Sequence, residues 1–147
     1  MFESSHSLVL AIEDQITSVI DSEDPSETFP SVSLGRIDSE KRIKLYAHLL
    51  GIFFDEAESL EGLIFESDLG GISLVKINEV ITERIAEIPE DDIPSLAGIW
   101  GESLDYDEEL DQDEENSEIL EQALFKLIHV CSLARQERAL SIFVYSK

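Results

Sequence analysis

The chain has 147 residues, 43% of them hydrophobic, and 33 Asp and Glu against 10 Lys and Arg, for a formal net charge of −23. That length fits one domain able to bury a core, and so high an apolar fraction excludes a purely disordered acidic tail. Ten bases scattered through this acid excess make the electrostatic term for nucleic acid repulsive, and Cys131, the single cysteine, excludes an internal disulfide and a cysteine-based zinc cluster.

Leu8, Val9, Ile12, Ile16, Val19 and Ile20 recur at helical spacing behind Ser5 or Ser7 as cap, and predict an amphipathic helix of about four turns. Residues 21–33, rich in Ser, Asp, Glu and Pro, read as a loop. Asp38 or Ser39 caps a second predicted helix reaching about residue 59, with Ile43, Tyr46, Ala47, Leu50, Phe53, Phe54 and Ala57 facing the core. Gly62 breaks it, and Leu63, Ile64 and Phe65 suit a short strand. Asp68, Leu69, Gly70 and Gly71 form a turn. Leu74, Ile77, Ile81, Ile85 and Ile88 then predict a third helix that Pro89 closes, and a weaker one with Pro94 near its first turn reaches about Trp100 and Gly101. Ile119, Leu120, Ala123, Leu124, Leu127, Ile128, Cys131 and Ala134 mark a long helix whose acidic start and basic end, Arg135 and Arg138, suit the helix dipole. Residues 140–145, β-branched and aromatic, read as a closing strand. The expectation is a single acidic α+β domain over residues 1–147, predominantly helical, with about five helices and a small sheet that includes the C-terminal strand.

Within residues 35–51, Asp38, Glu40, Lys44, Tyr46, His48, Leu49 and Gly51 give a pattern similar to the early "acid, Lys-aromatic, Leu-His, Leu-x-Gly" helix of the YfbM-like family of uncharacterised bacterial proteins. Arg138, Ala139, Leu140, Ser141, Ile142, Phe143 and Val144 resemble the same family's terminal helix and strand. The resemblance implies an α+β fold and supplies no catalytic residues.

Chemistry-bearing residues are sparse. His48 shares a polar stripe with Lys44 and Asp55, but Asp55 lies about two helical turns away, too far to orient it as a general base. His129 sits with Lys126, Ser132 and Gln136 on the polar face of the last helix. His6 belongs to the terminus, and no His-x-x-x-His or His-Glu-x-x-His pattern occurs. Cys131 falls on an apolar helix face, the setting of a small buried hydrophobe rather than a reactive thiolate. Gly70 and Gly71 make a tight turn and lack the Lys of a phosphate-binding loop. A calcium loop starting at Asp105 or Asp107 would need glycine where Leu110 or Gln112 stands. No cofactor, metal or catalytic residue is expected.

The acidic stretch carries most of the information. Residues 85–125 contain fifteen acids and no Lys or Arg, and eleven of the fifteen lie in residues 102–121. Those twenty residues as a helix would span about 30 Å, one charge per ~2.7 Å, against one per ~1.7 Å of duplex DNA. Two readings fit: a solvated loop that keeps the chain soluble, or a face that docks a basic protein. In the second, Glu102, Asp105, Asp107, Glu108, Glu109, Asp111, Asp113, Glu114 and Glu115 steer the encounter and the aromatics Trp100 and Tyr106 anchor it, Tyr106 being the better candidate because Trp100 equally suits a buried residue that closes the core. The leading expectation is a non-enzymatic module that masks or inhibits a basic partner, of immunity, antitoxin or nucleic-acid-mimic type. The alternative is a small-ligand or enzymatic domain whose pocket, lined by His48 or His129, the linear sequence hides. The N-terminus lacks the basic region of a signal peptide and the longest apolar run, residues 45–54, is too short to span a bilayer, so a cytoplasmic protein without membrane contact is expected.

Overall fold

The computed structural model of the chain describes residues 6–19, 25–35, 37–67, 71–103, 113–137 and 139–146. Five strands, β1 (His6–Ala11), β2 (Ser31–Gly35), β3 (Glu61–Glu66), β4 (Ser73–Ile77) and β5 (Ser141–Ser146), make one antiparallel sheet in the order β2-β1-β5-β4-β3. The last strand in sequence is the middle of the sheet, and the first lies beside it in unbroken register from His6 opposite Ser146 to Ala11 opposite Ser141. The helices are α1 (Glu13–Val19), α2 (Pro25–Thr28), α3 (Ser39–Leu50), α4 (Phe54–Ala57), α5 (Glu79–Ala86), α6 (Ile93–Ser103) and α7 (Asp113–Gln136), with 3-10 turns at Glu58–Leu60 and Glu90–Asp92.

Both faces of the sheet are covered. On one, Leu8 and Leu10 of β1, Ile77 of β4, and Ile142 and Val144 of β5 pack against α3, α5, α6 and α7. On the other, Val9, Ala11, Leu74, Phe143 and Tyr145 pack against Ile16 of α1 and against Phe29. A strand buried on both sides has no polar face, so its sequence is a continuous apolar run rather than an alternation.

That is why several expectations change. The sheet is not small: it has five strands, and the predicted fold class is corrected accordingly. The helix predicted from Leu8 is β1 followed by the short α1; a continuous run such as Leu8, Val9, Leu10, Ala11 satisfies helical spacing by accident. Residues 21–33, predicted as loop, include α2 and the start of β2. The third predicted helix begins as β4, and only after Asn78, whose side chain accepts from Val80 N at 2.8 Å, does α5 start. The second ends early. Asp38 caps α3 by accepting from Lys41 N at 3.0 Å, but Gly51, at φ 66°, closes it in the left-handed conformation while Ile52 N donates to Ala47 O. Phe53, assigned to the core, is 78% exposed.

One polar network ties α3 to the start of β3. Glu61 accepts from Arg42 Nε at 2.7 Å and Nη2 at 2.9 Å, from Tyr46 Oη at 2.7 Å and from Ser39 Oγ at 3.0 Å. Arg42 Nη1 donates to Ile37 O at 2.8 Å. Both charged side chains are only 2% exposed. Burial works to lower the Arg42 pKa, and the hydrogen bonds and charge of Glu61 outweigh it, so the guanidinium is held charged. Burial, then the Glu61 charge, keeps the Tyr46 hydroxyl protonated far above its usual range.

Candidate partner-binding face

Between β4 and β5 the chain builds a helical layer. Ile81 and Ile85 of α5, Ile88, then Leu96, Ala97 and Trp100 of α6, and Leu120, Leu124, Leu127 and Cys131 of α7 turn inward and are buried. Pro94 stands in the first turn of α6, where its missing amide breaks no helical hydrogen bond. At Gly101 the helices α6 and α7 come close: a Cβ there would meet Leu120 Cδ1 at 3.3 Å.

The acids are what remains outside. Glu79, Glu83 and Glu87, spaced at i, i+4 and i+8, run along and just past α5; Glu90, Asp91 and Asp92 fill the following turn; Glu102 is in the last turn of α6 and Glu118 in α7. All of these are exposed. Like charges four apart on a helix repel, and the described ion pairs leave them unrelieved. Among the described residues the ion pairs are Lys41–Asp38 at 3.5 Å, Arg42–Glu61 at 2.7 Å, Lys44–Glu40 at 3.6 Å and Lys76–Glu13 at 2.6 Å, none using an acid of this layer.

Two depressions flank α5. One, of about 360 Å³, is lined by Glu79, Glu83 and Glu87 together with Arg135, Ser141 and Cys131. Burial pushes the Cys131 thiol up to about 12, so it stays protonated and is no nucleophile. The other, of about 230 Å³, is lined by His48, Arg84, Asp92 and Ser95 over Leu49, Ile88, Leu96 and Ile99. It places one carboxylate, Asp92, on the same cleft as His48. His129 is exposed on α7. Among the described residues no three His, Cys, Asp or Glu side chains gather to hold a metal ion, and no helix is long and apolar enough to cross a membrane.

The residues predicted for docking divide three ways. Glu102 is exposed on the acidic layer. Trp100 is corrected: it is 1% exposed, its Nε1 donates to Lys41 O at 2.9 Å, and it joins α6 to α3 as a core residue rather than an interface anchor. Asp105, Tyr106, Asp107, Glu108, Glu109 and Asp111 lie outside the described residues. Asp113, Glu114 and Glu115 start α7, and their side chains lie outside the description too. Sequence reasoning passed over Glu79 and Glu83. Their signal was present, since Glu79, Glu83 and Glu87 keep one helical line opposite Ile81, Ile85 and Ile88.

Comparison of the chain with protein-family models, with curated proteins and with solved structures finds no match.

Proposed function

We propose that this chain is a non-enzymatic binding module that docks a basic protein partner and masks or inhibits it, as immunity proteins, antitoxins and nucleic-acid mimics do. The observation that carries the reading is the line of exposed acids from Glu79 to Glu118, for which the described residues supply no cation partner. A folded protein that concentrates like charge on one layer accepts self-repulsion, and a cationic surface brought against it relieves that repulsion and accelerates the encounter. Asp105, Asp107, Glu108, Glu109 and Asp111 extend the charge along the chain between α6 and α7, Asp113, Glu114 and Glu115 continue it into the start of α7, and Tyr106 takes the anchor role that Trp100 does not fill. The resemblance of residues 35–51 and 138–144 to the YfbM-like family belongs to the same proposal.

The test neutralises Asp107, Glu108, Glu109, Asp111, Asp113, Glu114 and Glu115 to Asn or Gln and compares capture of the native partner at two salt concentrations. The variant should fold and associate ~10–1,000-fold more slowly, the range that steering supplies. Equal capture of the same partner by both proteins refutes the acidic-face reading. A second reading, a small-ligand site, draws on the cleft that joins His48, Arg84 and Asp92. Its sign would be a ligand-induced shift of the His48 ring resonances that persists in the neutralised variant.

A further inference from the structure

The two rims of the sheet are finished differently. At β2, Leu10 N donates to Pro30 O at 2.9 Å, so by strand alternation Ser33 turns its main chain away from β1. Its carbonyl accepts from Lys126 Nζ at 2.8 Å, and the neighbouring Gly35 amide donates to Ser33 Oγ at 3.1 Å. Side chains thus close that rim.

At β3 the rim is open among the described residues. Asn78 N donates to Leu60 O at 2.8 Å, which turns the main chain of Glu61 and Leu63 away from β4; the Glu61 amide is taken by Glu58 O, so Glu61 offers its carbonyl and Leu63 both groups. Among the described residues no side chain bonds to the outward amide or carbonyl of Leu63. An unpaired rim of this kind is a template for another strand. Beside it lies a groove of about 560 Å³ lined by Leu60, Gly62, Leu63, Asn78, Glu79 and Val80. Leu63 is 60% and Val80 59% exposed, and a Cβ added at Gly62 would meet nothing within 4 Å. The groove therefore carries exposed apolar side chains beside an unobstructed stretch of main chain at Gly62. Its surroundings are acidic. Glu58, Glu66 and Glu79 are exposed, and the one cation lining it, Lys76, is paired with Glu13 at 2.6 Å.

We propose that the β3 rim is a strand-addition site for an extended basic segment of a partner protein. The segment pairs with the amide and carbonyl of Leu63 and the carbonyl of Glu61, seats one apolar side chain beside Leu63 and Val80, and directs Lys or Arg toward Glu58, Glu66 and Glu79. The irregularity of β3 between Leu63 and Phe65 ends the free ladder, so the paired stretch is short and the apolar side chain and the charges supply most of the affinity. This inference rests on the basic-partner reading and deepens it, since Glu79 belongs both to this groove and to the acidic line of α5. A second copy of the chain is the poorer occupant, because each copy carries −23 and pairing two β3 rims would bring like charges together.

The test uses fluorescence anisotropy with three labelled eight-residue peptides on the full chain: alternating Lys and Val, alternating Lys and Pro, and alternating Glu and Val. The Lys–Val peptide should bind, the Lys–Pro peptide, of equal charge but without alternate amides, should bind at least about tenfold more weakly, and the Glu–Val peptide should not bind. Leu63→Pro removes an outward amide that β4 does not use, and should weaken the Lys–Val peptide by about tenfold. If that variant does not fold, Leu63→Lys places a cation against the basic segment and should weaken it similarly. Equal binding of both basic peptides, unchanged by either variant, overturns strand addition and leaves the acidic-face reading standing. No binding of either basic peptide overturns both. Sedimentation showing a dimer of the chain alone, dissociated by Leu63→Pro, gives the rim to a second copy and overturns the basic segment.

Discussion

Arg42 and Glu61 form the most buried charged pair described, and the energetics of such pairs are asymmetric. Removing one partner leaves the other charge out of water without compensation, at a cost of about 3–5 kcal/mol. Glu61→Gln should therefore lower unfolding stability by that amount in urea titrations, because Arg42, 2% exposed, would keep its charge and lose the carboxylate it is paired with. A loss below ~1 kcal/mol, the worth of an exposed pair, would show that water reaches the guanidinium. His6 gives a pH prediction. Burial, aided by Arg42 and Lys41 and opposed by Asp38 and Glu61, lowers its pKa below 6.5. The unfolded chain thus binds the proton first, so the contribution of His6 is complete above pH 6.5 and is lost as pH falls through the lower folded value. His6 Nδ1 lies 2.6 Å from Ser146 Oγ, so His6→Asn keeps a polar group beside that hydroxyl and removes the titration. Between pH 7.5 and 5.5 the wild type should lose stability relative to this variant. A difference that stays constant over that range would show that the ring titrates normally.

At the scale of elements, the sequence was legible wherever one face meets water. α7 shows its apolar line of Leu120, Leu124, Leu127 and Cys131 against exposed Glu118, Gln122, Phe125 and His129, and the helical period is plain. β5 was legible for another reason: Ile142, Phe143, Val144 and Tyr145 are too short a run, and too β-branched and aromatic, to prefer a helix. β1 and β4 were not legible. Their neighbours cover both faces, so alternation vanishes and the apolar residues of β4 run on into those of α5 at helical spacing. Nor can a single chain read announce which strands pair, and the sheet order is set by contacts across more than a hundred residues. For the candidate face, the excess of acid was visible from the start, whereas the role of Trp100 was not. Its indole is buried and Nε1 donates to Lys41 O of α3, a contact between segments 59 residues apart that no local pattern announces.

Across the whole molecule the charge sets how stability responds to solvent. Exposed like charges repel over about 30 Å at 0.01 M ionic strength and about 8 Å at 0.15 M. With −23 formal charges and the acids of the helical layer unpaired by any described cation, thermal midpoints should rise as sodium chloride is added across that interval. A midpoint that stays level or falls would mean that attractive pairs, which salt weakens, outweigh the repulsion.

The central place of β5 also bears on how the chain is made. β1 leaves the ribosome well ahead of β5: the neighbour that completes its ladder begins at Ser141, which is 130 residues after Ala11 (141 − 11). At about 5–20 residues per second, translation opens an interval on the order of ten seconds between the two. During that time Leu8, Val9, Leu10 and Ala11 form a newborn apolar strand lacking the partner that will sit at its side. Slowing elongation late in the message should lengthen this exposure and increase capture of the nascent chain by holding chaperones, making the yield of folded protein a matter of synthesis rate as well as of equilibrium.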